Sequence, residues 1–66
     1  MKNIIITGAA NGVGKAVANI LKENNLILID EDYKNLEQVA KDLNANGDGE
    51  FWHTLPHERK YSRFSS

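Results

Sequence analysis

Residues 4–14 decide the fold of this chain, and they run Ile4-Ile5-Ile6-Thr7-Gly8-Ala9-Ala10-Asn11-Gly12-Val13-Gly14. A short β-branched apolar run that stops at a glycine is typical of a strand buried on both faces. The glycines predict a turn, and the periodic apolar residues after them predict a helix. A strand, a glycine-rich turn and a helix start together form the corner that holds phosphate groups in dinucleotide-binding folds.

Each glycine of this corner has its own predicted role. Gly8 lets the chain leave the strand through a conformation that a side chain resists. Gly12 leaves room for the backbone to approach a pyrophosphate, and Gly14 lets the helix pack closely on the strand. The N–H groups of the first helical turn and the positive end of the helix dipole then face the anion. The alternative is a glycine-rich turn without a ligand.

A helix and a second strand are predicted to follow the corner. An apolar stripe at helical spacing predicts a helix that ends at Asn24-Asn25 and packs on the sheet. The stripe consists of Val13, Ala16, Val17, Ile20 and Leu21. Residues 26–29 form another continuous apolar run, which predicts a second strand buried on both faces and ending at Asp30.

A second helix is predicted from Leu36, Val39, Ala40 and Leu43, which repeat at helical spacing. Asp32 stands at the N-cap position of this helix and Gly47 lies just past its end. Two buried strands joined by a helix pair in parallel through a right-handed crossover. The sequence therefore predicts an α/β fold in which residues 1–49 form a Rossmann-like, dinucleotide-binding βαβα unit with parallel strands.

The remaining residues, 50–66, differ in composition. We expect a turn-rich loop over residues 44–49 and a possible short third strand over residues 50–54, which Pro56 would end. Residues 57–66 have no apolar periodicity. They are predicted to form a frayed, partly disordered C-terminal tail.

Asp30 is predicted to contact the cofactor from the end of the second strand. Its carboxylate can accept hydrogen bonds from both ribose hydroxyls of an adenosine. Glu31 and Asp32 follow it, and Asn11 supplies no cation, so a 2′-phosphate would meet only negative charge. We therefore expect NAD rather than NADP. The alternative is that Asp30 caps the second helix, a position for which Asp32 is better placed.

Composition limits the remaining function classes. Eight Lys and Arg against nine Asp and Glu give a formal charge of −1, which offers no electropositive field for nucleic acid. Residues 59–64 interleave basic and aromatic side chains as single-strand binders do, but three basic groups next to Glu58 favour a solvated terminus. No apolar run approaches the ~20 residues that span a bilayer, and no secretory signal is recognisable. We expect a cytoplasmic protein without membrane or nucleic-acid partners.

The sequence does not favour two other kinds of site. A P-loop needs a glycine where Ala9 stands and a hydroxyl where Ala16 stands. His53 and His57 have the four-residue spacing of zinc ligands on a helix, but Pro56 breaks any helix through both. Both histidines are therefore expected to be exposed to solvent, and no metal site is predicted.

The segment from Thr7 to Gly14 resembles the Thr-Gly-x-x-x-Gly-x-Gly signature of the short-chain dehydrogenase/reductase family. Lys15-Ala16-Val17-Ala18 and the strand that ends in Asp30 are similar to that family as well, so the resemblance covers residues 1 to about 49. It implies a nicotinamide cofactor and hydride transfer between a carbonyl and an alcohol. The residues it implies are Gly8, Asn11, Gly12, Val13 and Gly14 around the pyrophosphate, and Asp30 on the adenosine ribose.

The chain also departs from that family. The family's catalytic Tyr-x-x-x-Lys pair, serine and asparagine lie far beyond residue 66 in a typical member. Tyr33 is followed four residues later by Glu37, and Tyr61 by Ser65, so neither tyrosine has its lysine. The chain thus resembles a family member cut off near its third strand, by a frameshift or an early stop, and no catalytic residue is predicted.

Two functional classes follow. The chain is either the cofactor-binding part of an NAD-dependent oxidoreductase, inactive by itself, or a non-catalytic βαβα module that binds a nucleotide or a partner. An open sheet of two or three strands leaves an edge uncovered, which favours self-association.

Overall fold

The computed structural model describes residues 2–58, 62 and 63. Its elements are β1 (Asn3–Thr7), α1 (Gly12–Ile20), β2 (Asn25–Ile29), α2 (Tyr33–Asn46), β3 (Phe51–Thr54) and β4 (Ser62–Arg63). The predicted α/β class is confirmed, and the arrangement is compatible with a βαβ unit.

The four strands form one mostly parallel sheet in the order β1-β2-β3-β4. β1 pairs with β2 and β2 with β3 in parallel, whereas β4 is antiparallel to β3. The register places Ile5 beside Ile27, Ile27 beside Trp52, and Trp52 beside Arg63. A helix joins each parallel pair, as a parallel connection requires.

Within the described residues, helices cover only one face of the sheet, so the prediction that β1 and β2 are buried on both faces is wrong. Ile6, Leu26 and Leu28 are buried, whereas Ile5 on the opposite face is 64% exposed. Both crossovers run in the same direction across the sheet, and α1 and α2 contact each other. Right-handed crossovers of this kind place both helices on the same side.

α1 presents a different face to the sheet from the one predicted. Its buried residues are Gly14 and Ala18, while Val13 and Ile20 are 77% and 79% exposed. A Cβ at position 14 would lie only 2.7 Å from the carbonyl carbon of Gly8, so the helix backbone lies directly against the corner. Close approach through small residues turns the larger aliphatic side chains outward. The helix also ends at Ile20, earlier than the predicted Asn24-Asn25.

α2 follows its prediction closely. Asp32 is its N-cap and Gly47 its C-cap, and its predicted apolar stripe is buried. The predicted loop over residues 44–49 is too long, because the helix continues to Asn46. The buried apolar core between helices and sheet comprises Ile6, Ala9, Ala18, Leu26, Leu28, Leu36, Val39, Ala40, Leu43 and Phe51.

The possible third strand is confirmed as β3, but the predicted tail is wrong at residues 62 and 63, which form β4. The Arg63 guanidinium lies 5.4 Å from the centre of the Trp52 ring and 3.6 Å from a carboxylate oxygen of Glu50. Backbone pairing and a cation–π contact thus order a polar segment without apolar periodicity. The predicted disorder of residues 59–61 and 64–66 lies outside the described residues.

Candidate functional site

The glycine corner begins with a left-handed residue, as predicted. Gly8 has a φ of +65°, a backbone conformation that residues with a side chain rarely adopt. The Asn11 N–H donates to the Gly8 carbonyl oxygen at 3.1 Å. A Cβ at position 8 would also lie 2.8 Å from the Asn11 side-chain nitrogen. This turn reverses the chain between β1 and α1 and places the start of α1 beside the carboxyl end of β1.

Asn11, predicted to contact pyrophosphate, is the N-cap of α1. Its Oδ1 accepts a hydrogen bond from the Gly14 N–H at 2.8 Å, and its carbonyl oxygen accepts from Lys15 N at 2.8 Å. The cap therefore uses one of the first-turn donors, that of Gly14. Asparagine directly before a periodic apolar helix is itself an N-cap signal, so the sequence held the information for this role.

The first turn of α1 is open at Gly12 and Val13. By their position, these residues have N–H groups without an acceptor inside the helix, and the helix dipole adds positive potential there. A Cβ at Gly12 would meet no atom within 4 Å, and the Val13 side chain is exposed. This end of the helix therefore has both the donors and the space that an anion requires.

Asp30 lies beside the corner, and both its carboxylate oxygens accept backbone hydrogen bonds. Oδ2 accepts from Ala10 N at 3.0 Å and Oδ1 from Asp32 N at 2.9 Å. The alternative that Asp30 caps α2 is wrong, since Asp32 caps that helix through Asn35. Sequence reasoning missed the contact with Ala10, because it arises only from the register that sets Thr7 beside Ile29.

A crevice of about 370 Å³ opens at the carboxyl ends of β1 and β2. Its lining residues are Thr7, Gly8, Asn11, Ile29, Asp30, Glu31 and Pro56. The crevice brings together three of the predicted site residues, Gly8, Asn11 and Asp30, while Gly12, Val13 and Gly14 lie beyond its lining on the first turn of α1. Among the described residues, two carboxylates and no cationic side chain line it, so this lining suits hydroxyl donors better than a phosphate group. Pro56, which sequence reasoning did not assign to the site, adds a wall from beyond β3.

A second cavity of about 310 Å³ lies between the start of α2 and β4. It is lined by Tyr33, His53, Thr54, Leu55, Glu58 and Ser62. His53 is only 2% exposed, so the expectation that it is solvent-exposed is wrong, whereas His57 is exposed. The His53 Nε2 lies 3.4 Å from the Tyr33 hydroxyl oxygen. Burial lowers the pKa of His53 below its usual value, and the negative charge of Glu37 offsets part of that effect.

Within residues 2–58, 62 and 63, no group of three or more His, Cys, Asp or Glu side chains is placed to hold a metal ion. Over those same residues, neither helix has the length and apolar character needed to cross a membrane.

Comparison with known proteins gives no match. No protein-family model matches the sequence, and none of the curated proteins or solved structures compared with it matches either. The resemblance to short-chain dehydrogenases/reductases therefore stays a prediction from residues 7–14 and Asp30.

Proposed function

We propose that this chain binds NAD as the Rossmann-like, cofactor-binding part of a short-chain dehydrogenase/reductase-type oxidoreductase. The single observation that carries the proposal is the position of Asp30 beside the glycine corner, with its Oδ2 3.0 Å from the Ala10 nitrogen. An acceptor for ribose hydroxyls and a helix N-terminus for pyrophosphate thus lie next to each other at the carboxyl ends of β1 and β2. Ligands of open α/β sheets bind in the crevice outside the carboxyl ends of the strands.

The pyrophosphate half of the proposal depends on α1. Gly12 and Val13 would donate their first-turn N–H groups to phosphate oxygens, and the absence of a side chain at Gly12 leaves space for the approach. Asn11 would act by capping the helix, and Gly8 and Gly14 by allowing the turn and the close packing behind it. Bound NAD would supply a hydride acceptor.

The preference for NAD over NADP follows from the charges that line the crevice. Asp30 and Glu31 are both acidic, and no lysine or arginine lines the crevice within the part of the chain that the structure describes. The two hydroxyls of an adenosine ribose can donate to Asp30, whereas a 2′-phosphate would be repelled.

We propose binding without turnover for this chain by itself. Neither Tyr33 nor Tyr61 has a lysine four residues later, so the family's proton-transferring pair is not present in this sequence. The chain's own residues would bind and orient the cofactor, and none is assigned a proton transfer to a substrate.

Calorimetric titration with NAD, NADP and ATP tests the proposal, with Gly12→Ala as the matched variant. The added methyl group enters open space, so the fold should be unchanged, but it occupies the position where the phosphate would approach. We expect NAD to bind more tightly than NADP and Gly12→Ala to weaken NAD at least about tenfold, or about 1.4 kcal/mol. Failure of NAD to bind the wild-type chain at millimolar concentration would refute the cofactor assignment.

A second candidate function is self-association through β1, supported by the exposed surface at that edge. β1 lies at the edge of the sheet, carries no charged residue and exposes Ile5, whereas β3 is covered by β4. Two copies of β1 can pair antiparallel about Ile5. Asn3 of one copy then lies beside Thr7 of the other, and the two Ile5 residues lie beside each other. Val13 and Ile20 of α1 add exposed apolar surface. The chain would then be a non-catalytic module whose partner is a second copy of itself.

A further inference from the structure

We propose that Asp30 is a positioning residue that holds the glycine corner in its binding shape before any ligand is present. Its carboxylate and the amides of Ala10 and Asp32 form a unit that we call the Asp30 clamp. This role is separate from the ribose contact, and it can be tested in the ligand-free protein. Only its consequence for ligands rests on the proposed function.

The clamp joins three parts of the chain at one carboxylate. Oδ2 accepts from Ala10 N in the corner and Oδ1 accepts from Asp32 N at the start of α2, at 3.0 and 2.9 Å. Hydrogen bonds to an ionised acceptor are stronger than those between neutral groups. One side chain therefore ties the corner after β1 to the N-cap of α2.

The backbone of Asp30 is itself held in place by β3. Its N–H donates to the Thr54 carbonyl oxygen at 3.4 Å, and the neighbouring Ile29 carbonyl oxygen accepts from Ala9 N at 3.2 Å. Asp30 is also half-buried. The acceptor thus belongs to the ordered sheet, so it can impose a position on the corner.

The corner needs such a contact because of its own sequence. Gly8 has the widest conformational freedom of any residue type, and it directly precedes the segment that Asp30 contacts. Ala9 and Ala10 have no side-chain polar group with which to fix that segment. Their two consecutive N–H groups both donate to the end of β2, one to Ile29 and one to Asp30. Ile29 accepts through its backbone carbonyl oxygen, and Asp30 accepts through its side chain.

The clamp leaves Asp30 with acceptor capacity for a ligand. An ionised carboxylate has about four acceptor positions, and the two amides use two of them. The carboxylate is therefore already oriented when the ribose hydroxyls arrive. Loss of Asp30 should consequently weaken even a ligand without a ribose, since the corner itself would lose its shape.

Amide hydrogen exchange in the ligand-free protein tests the clamp directly. Asp30→Ala should accelerate exchange at Ala10 and Asp32 at least about tenfold, while core amides such as Leu28 report whether the whole protein has unfolded. Glu31→Ala is the matched control, because it removes a neighbouring exposed carboxylate and should leave both rates unchanged. Unchanged exchange at Ala10 in folded Asp30→Ala would overturn the clamp.

Asp30→Asn keeps the test decisive if the alanine variant does not fold. The amide offers a single oxygen in place of two, so one of the two N–H groups must lose its acceptor. We expect faster exchange at either Ala10 or Asp32, with the other unchanged. Wild-type rates at both positions would overturn the proposal.

The affinity for inorganic pyrophosphate distinguishes the clamp from a purely electrostatic effect of the Asp30 charge. Removal of a negative charge beside an anion site should by itself tighten pyrophosphate binding, as we expect for Glu31→Ala. The clamp predicts the opposite for Asp30→Ala, a loss of affinity of about threefold or more, and tighter binding in that variant would overturn it. Absence of binding to the wild-type chain would count against the proposed NAD site, and the exchange rates would still decide the clamp.

Discussion

Replacement of Gly14 with alanine is expected to lower the free energy of unfolding by about 3 kcal/mol. The new Cβ would lie 2.7 Å from the carbonyl carbon of Gly8 and 3.0 Å from the Cα of Ala9. Carbon atoms in contact are normally about 3.5 to 4.0 Å apart. Both neighbours are backbone atoms, so α1 and the corner would have to separate by about 1 Å. Overpacking costs typically about 1–3 kcal/mol, and unyielding neighbours favour the upper end.

A loss of that size matters because the chain has only 66 residues. At about 0.05–0.15 kcal/mol per residue, its total stability is of the order of 3–10 kcal/mol. Urea titration followed by the fluorescence of Trp52, the single tryptophan, measures the change. Gly12→Ala is the control, because its Cβ meets no atom of the surrounding structure within 4 Å and should not lower the midpoint. A wild-type midpoint for Gly14→Ala would refute the close packing of α1 on the corner.

Two further predictions concern His53 and the β1 edge. Because burial lowers the pKa of folded His53, the unfolded state binds the proton more readily, and stability should fall as pH drops below about 6.5, the usual histidine value. Urea midpoints at pH 7 and pH 5 should therefore differ for the wild-type chain and differ less for His53→Phe; an equal pH dependence in both would contradict this assignment. Ile5→Lys, at a position 64% exposed, should leave stability unchanged and reduce concentration-dependent association in sedimentation experiments. A wild-type chain that stays monomeric at all concentrations would exclude self-association.

The elements with strong local signals could be predicted from the sequence. α2 has an apolar stripe of four residues, an aspartate N-cap and a glycine at its end, and the structure agrees with each of them. Gly8 was predicted to adopt a conformation that a side chain resists, and its φ of +65° agrees.

The orientation of α1 could not be predicted from apolar periodicity. Its aliphatic residues, Val13, Val17 and Ile20, form the stronger stripe, but Gly14 and Ala18 form the buried face. Small side chains contribute little to an apolar pattern, yet they allow the closest approach of a helix to a sheet. The orientation of α1 depends on how closely its backbone approaches the glycine corner, and an apolar pattern does not report that distance.

The site shows the same division between local and long-range information. The capping role of Asn11 depends on a contact three residues away and was accessible from the sequence. The contact between Ala10 and Asp30 spans twenty residues and depends on the strand register. The burial of His53 and the pairing of β4 likewise require tertiary contacts that polarity alone does not indicate.

The β1 edge determines the form of any assembly that pairs through it. β1 offers five residues at one edge of the sheet, and β4 lies at the other edge. Two subunits that pair β1 with β1 about a twofold axis use up that edge in both copies. Growth through β1 alone then stops at a closed dimer instead of continuing into a filament.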